Sequence, residues 1–184
     1  KQGNLWVGVK DGILRIYDAD RTYKGYLTEN GIISTVGTPV KGTAYFIIQD
    51  SKGVIWIATK GDGLIRAEAT SPSGMSYKLT RYLHQEDDMY SLSDNNVYCV
   101  YEDHNGRIWA ATFAGGINYL TENEDGKVLF INHRNHLKGY PIDPCYKARF
   151  ITSDNNGRLW VGTTTGAVAF DENFEKPEDV QFYH

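Results

Sequence analysis

Apolar side chains fall in short runs that alternate with polar ones, broken by Gly, Asp and Asn, which predicts short β-strands joined by tight turns. No segment combines helical periodicity with caps. All four tryptophans sit in matching runs: GNLWVG (Gly3–Gly8), GVIWIA (Gly53–Ala58), GRIWAA (Gly106–Ala111) and GRLWVG (Gly157–Gly162). Successive tryptophans are 50, 53 and 51 residues apart. Asp50, Asp103 and Asp154 open three of these runs, giving D-x-x-G-x-[IL]-W-[VIA]-[GA], and a second glycine follows at Gly12, Gly63, Gly116 and Gly166. Asp-x-x-Gly between apolar runs is a hairpin turn, because the carboxylate accepts backbone N–H groups and Gly tolerates positive φ. In the strand that follows, Trp and the small residue two places on share a face. The small residue is expected to leave room for an indole from a neighbouring sheet.

Each Trp strand, here strand B, is preceded by an apolar strand A: YFIIQD (Tyr45–Asp50), YCVYED (Tyr98–Asp103) and RFITSD (Arg149–Asp154). Strand C follows the second glycine, and a fourth run, strand D, closes the unit (YKGYL, YKLTRYLH, VLFINHR and VQFYH). Four antiparallel strands in a repeat of this length predict an all-β fold, a β-propeller of four-stranded antiparallel blades. The expected units are 1–28 (strands B–D), 43–84, 96–136 and 146–184 with a short last strand, a partial ring of about 3.75 blades drawn from a larger propeller. The blades are apolar on both faces, so the tryptophans are expected to be core.

Composition narrows the function. Lys+Arg 19 against Asp+Glu 23 leaves a net charge of −4, which argues against a basic nucleic-acid binder. No apolar run approaches the roughly 18 residues of a membrane span. The two cysteines, Cys99 and Cys145, do not share a repeat position and are expected to be free thiols. His133 and His136 lie three apart, but no HExxH or carboxylate cluster accompanies them, so neither a metal nor another cofactor is expected. One Asp per blade on an A–B turn does not make the carboxylate pair of a glycosidase, and no nucleophile elbow or phosphate loop appears. Catalysis is not expected of this chain.

The stretch YLHQEDDMYSLSDNNVYCVYEDHNGRIWAATFAGGINYL (Tyr82–Leu120) resembles the two-component regulator propeller repeat, with SLSDN at Ser91–Asn95 and D-x-x-G-x-I-W at Asp103–Trp109. Asp50–Ala67 and Asp154–Phe170 match more loosely, Ala58 and Ala111 replace the usual Gly, and the segment before Tyr45 lacks SLSDN. The resemblance implies the periplasmic sensor region of an inner-membrane hybrid two-component regulator. In such proteins further blades, a β-sandwich, a membrane helix, a histidine kinase and often a DNA-binding response regulator complete the molecule. It implies an oligosaccharide ligand from polysaccharide breakdown and control of transcription. A structural or dimerising propeller, read by an adjoining domain or a homodimer partner, is the alternative.

Blade topology nominates a site. The D–A and B–C loops emerge on one side, and the D–A loops are long: Thr28–Gly42, Gln85–Asn96 and Leu137–Tyr146. Long loops on a rigid scaffold are where binding concentrates. Eleven residues before each Trp stand Tyr45, Tyr98 and Arg149, placed to line a funnel at the ring axis. With them we select Asn96, Lys147, Phe113 and Lys60 as ligand-binding candidates. Tyr90, Asp94, Asn95, Tyr140 and Asp62 lie on the same loops.

Overall fold

The computed structural model describes residues 3–184. Its strands form four antiparallel meanders. The first sheet is β1 (Leu5–Gly8), β2 (Leu14–Tyr17), β3 (Tyr23–Leu27) and β4 (Ile33–Ser34). The second is β5 (Thr43–Gln49), β6 (Ile55–Lys60), β7 (Leu64–Ala69) and β8 (Tyr77–Tyr82). The third is β9 (Val97–Glu102), β10 (Ile108–Thr112), β11 (Gly116–Glu122) and β12 (Val128–Ile131). The fourth is β13 (Ala148–Ser153), β14 (Arg158–Thr163) and β15 (Ala167–Asp171), whose outer partner is a single bridge from Ala169 to Tyr183. These are the blades of a partial β-propeller.

Two details depart from the sequence reading. The Thr28–Gly42 segment, read as a loop, contains β4, which pairs through Leu27 and Ile33 and gives the first sheet a strand outside its B–D set. Ile33 is buried against the second blade, and that burial holds the extra strand in place. The Leu137–Tyr146 segment includes one helical turn, α1 (Ile142–Cys145), which buries Cys145.

The D-x-x-G hairpins close as expected. Gly53, Gly106 and Gly157 donate N–H to the carbonyls of Asp50, Asp103 and Asp154. The carboxylates do more than hold the turn. One oxygen accepts turn N–H groups, and the other accepts the indole N–H of Trp56 (2.8 Å), Trp109 (2.8 Å) and Trp160 (3.0 Å). Each repeat Asp therefore fixes the turn and the rotamer of its own Trp. At the other end of strand B, the hydroxyls of Thr59, Thr112 and Thr163 donate to the carbonyls of Gly63, Gly116 and Gly166.

The core lies between blades. The first three tryptophans point to the blade that follows: Trp6 meets Tyr77 edge-on at 5.1 Å, Trp56 packs with Leu92, Val97 and Ile108, and Trp109 lies 5.2 Å from Phe170. The small residue makes room for the next blade's strand A, not for an indole. A Cβ added to Gly8 would lie 3.1 Å from Ala44 Cβ, and Ala58 and Ala111 share interblade clusters with Val97 and Ala148. Burial follows from this stacking. β6 and β10 are buried on both faces. Trp160 is 40% exposed, against the expectation of core, because no blade covers its face of β14 among the described residues.

Carboxylates staple the blades together. Ser51, directly after Asp50, donates its N–H (2.7 Å) and hydroxyl to Glu102 of the next blade. His104, directly after Asp103, donates its N–H (3.2 Å) to Glu172, and its Nδ1 lies 2.6 Å from the same carboxylate.

Candidate functional site

Strands β5, β9 and β13 lie side by side as the inner wall of the arc. Each pairs with its strand B through a register shift at one repeat position. Ala44 pairs with Thr59 and Phe46 with Ala58, which skips Tyr45. Val97 pairs with Thr112 and Cys99 with Ala111, which skips Tyr98. Ala148 pairs with Thr163 and Phe150 with Gly162, which skips Arg149. A β-bulge of this kind re-aims the skipped side chain and is a recurrent device at functional sites. Here three consecutive blades use it to bring their bulged residues together.

The result is a continuous row. The rings of Tyr45 and Tyr98 stack with centroids 4.9 Å apart and planes 18° apart. The Arg149 guanidinium lies 4.3 Å from the Tyr98 ring centroid and 5.4 Å from that of Phe113. Phe113 is 5.9 Å from Tyr98. The Lys147 ammonium is 5.0 Å from Phe113 and 5.2 Å from Tyr146, an exposed ring that sequence reasoning had not selected. Five of the seven candidates thus meet.

Asn96 serves the row through its backbone: its carbonyl accepts the Phe113 N–H at 2.9 Å. Lys60 stands apart. It pairs in register with Thr43 and lines an open depression with Gly42, Thr43 and Asp62. The other loop residues have structural work. Tyr140 is buried, packs against Gly116 and donates its hydroxyl to the Cys145 carbonyl; burial raises its pKa. Asp94 accepts the Asn96 N–H, the Asn95 carboxamide accepts the His84 N–H, and the Tyr90 hydroxyl meets His136.

Buried amides hold the loop before β9 in place. Asn118 Oδ1 accepts the Ser93 N–H (3.0 Å) and its Nδ2 donates to Ser93 Oγ (2.7 Å). Asn132 donates to Asn118 and Asn135 to the Met89 carbonyl. Buried amides satisfied in this way fix a single loop conformation. Asn118 and Asn132 went unnoticed in the sequence because neither belongs to the repeat.

The two histidines three apart do not converge. His136 Nε2 meets Tyr90 and its Nδ1 meets Glu178, whereas His133 is half-buried with Nδ1 unpartnered, and burial lowers its pKa. Cys99 and Cys145 are both free and buried. Desolvation pushes the Cys99 thiol up to about 11.

Stacked rings with cations over their faces suit a ligand with a flat apolar surface and polar edges. Residues 91–114, from the SLSDN segment through β10, match the model of the two component regulator propeller family. This is the stretch in which the resemblance is most complete, and it carries Tyr98, Asn96 and Phe113 of the row. In sequence, the chain is 27% identical over 111 residues to histidine kinase P4 of Formosa agariphila, a match that covers 60% of the chain and 8% of that protein. In fold, it resembles the extracellular domain of a putative hybrid two component system of B. thetaiotaomicron. That match has a TM-score of 0.64 and 20% identity, and covers 97% of this chain and 24% of that one. Virginiamycin B lyase from Staphylococcus aureus shares the architecture with a TM-score of 0.62 and 18% identity, over the whole of this chain and 52% of the enzyme. The chain is therefore a partial β-propeller in which residues 91–114 match the two component regulator propeller model, and it spans between 8% and 52% of the length of these proteins.

Proposed function

We propose that this chain is part of an extracytoplasmic sensor propeller that binds a ligand at the Tyr45–Tyr98–Arg149 row. The observation that carries the reading is the bulge repeated at one position in three blades, which converges three side chains on one exposed face. A fold-maintaining irregularity would have no need to present stacked rings and cations to solvent. The ligand class that fits is an oligosaccharide, whose C–H faces stack on Tyr and Phe while its hydroxyls reach Lys147 and Arg149. In this reading binding shifts the propeller relative to a following β-sandwich or a second copy. Such a shift requires different ligand affinity in two states. A histidine kinase elsewhere in the protein then passes the signal to transcription. The setting is the periplasmic part of an inner-membrane protein, and the segment itself is a binding module without catalysis.

Thermal unfolding of the protein against a panel of oligosaccharides tests this. A ligand at about 100-fold over its Kd stabilises by about 2.7 kcal/mol, a readily measured rise in Tm. A rise with one glycan class supports the sensor reading. No rise across a broad panel overturns it in favour of a scaffold read by an adjoining domain.

A further inference from the structure

Arg149 is the arginine that the bulge of β13 places in the row. Its guanidinium is held between two rings, Tyr98 and Phe113, yet no donor of that group makes a hydrogen bond or ion pair to protein among the described residues. Five of the other seven arginines have a protein partner for the guanidinium, whereas Arg21 and Arg158 have none among the described residues. Arg15 pairs with Asp11, Arg66 with Glu68, and Arg81 donates to the Asp62 and Lys41 carbonyls. Arg107 donates to the Glu172 and Phe174 carbonyls, and Arg134 to the Glu86 carbonyl. Lys147, the second cation of the row, likewise has no carboxylate partner among the described residues, and its ammonium sits over Phe113 and Tyr146. On this side Asp11 pairs with Arg15, Asp62 with Arg81 and Asp94 with the Asn96 N–H, and no carboxylate among the described residues pairs with Arg149 or Lys147.

A guanidinium that lies over aromatic rings without a hydrogen-bond partner keeps its N–H donors free, and two of them can meet a carboxylate or sulfate in parallel. The neighbouring rings offer the apolar faces on which a sugar stacks. Resting on the proposed ligand site, we infer that the row selects an acidic oligosaccharide. Arg149 takes the sugar's anionic group, Lys147 supplies the second positive charge, and the exposed rings of Tyr146 and Tyr45 offer the apolar faces, since Tyr98 is flanked by Tyr45 and Arg149. The anion is a uronate carboxylate or a sulfate ester, both of which the guanidinium edge accommodates.

Matched pairs of glycans test the inference. Titration calorimetry compares uronate-containing oligosaccharides with their carboxyl-reduced, neutral counterparts, and sulfated oligosaccharides with their desulfated counterparts. The expected result is that one acidic series binds at least about tenfold tighter than its neutral partner. That preference should shrink with added salt, which screens exposed charges. Arg149→Gln should abolish the preference while lowering Tm only slightly, because its guanidinium touches two rings but makes no hydrogen bond or ion pair to protein; Arg149→Lys should restore part of it. Which series binds distinguishes carboxylate from sulfate. Equal binding of acidic and neutral partners, or a preference untouched by Arg149→Gln, overturns the inference and leaves the glycan-sensor reading standing. Absence of binding by every glycan, charged or neutral, overturns both.

Discussion

Asp103→Ala is the sharpest perturbation of the repeat. The carboxylate is buried, with one oxygen accepting the N–H groups of Asn105 and Arg107, both at 2.9 Å. The other accepts the indole N–H of Trp109 at 2.8 Å, and Trp109 has no exposed surface. Removing the carboxylate strands that buried indole donor, at a cost of about 1–3 kcal/mol. The two turn N–H groups reach water more readily and add about 1 kcal/mol together once rehydrated. The sum is about 2–4 kcal/mol. At a urea m-value of about 2 kcal/mol/M this lowers the denaturation midpoint by about 1–2 M. Trp109→Phe removes the donor instead, and the double mutant should lose less than the two single losses combined, with a coupling of about 1–2 kcal/mol. Asp154→Ala is the internal control. It breaks the same hydrogen bonds, though not an ion pair like that of Asp103 with Arg107 at 3.6 Å, and because Trp160 is 40% exposed water replaces the carboxylate and the loss is smaller. Equal losses at Asp103 and Asp154, or a loss below about 1 kcal/mol at Asp103, would refute the claim that the buried indole bond sets the cost.

Three further outcomes are expected. The Asp154 pKa is lowered, first by the Trp160 hydrogen bond and then by the Arg158 and Asn156 N–H groups. Its contribution to stability is therefore complete above the unfolded carboxylate value and is lost as pH falls through the lower folded value. Urea midpoints of wild type and Asp154→Asn should accordingly converge as the pH drops below the ordinary carboxylate value and through the lower folded one; a difference that persists below both values contradicts the assignment. Cys99 and Cys145 are buried and the Cys99 thiol is raised to about 11, so a thiol reagent at neutral pH should label both only after denaturation; rapid labelling of the native protein contradicts the packing. Gly63→Ala should destabilise by more than about 1 kcal/mol, because at φ +73° a Cβ would lie 2.1 Å from the Tyr82 carbonyl oxygen; an unchanged urea midpoint contradicts that backbone approach.

The repeat was legible because its parts are local. Asp, Gly and Trp sit within one hairpin, and a shared spacing reveals them without any knowledge of the neighbouring blade. The indole bond was not foreseen, because it needs the hairpin to fold Asp103 back beside Trp109 across six residues. The candidates Tyr45, Tyr98 and Arg149 were found by their common distance from Trp, yet that distance says nothing of a bulge, which is a property of pairing between two strands. Tyr146 was missed because it follows the helical turn α1 and has no counterpart in the repeat. Tyr140 was noted on a long loop and lies buried, because that loop folds inward over Gly116. β4 escaped notice because two residues, Ile33 and Ser34, carry too short a pattern to read as a strand. The exposure of Trp160 depends on what packs against the last sheet, which no motif within the repeat encodes.

The central claim is that the bulged inner strands form a ligand site. Amide hydrogen exchange of the protein, with and without the oligosaccharide that gives the largest rise in Tm, tests it most directly. The account predicts that added protection concentrates at Thr43–Phe46, Asn96–Cys99, Phe113 and Tyr146–Phe150, the segments that carry the row. Protection confined to the opposite turns, at Asp50–Gly53, Asp103–Gly106 and Asp154–Gly157, would contradict it.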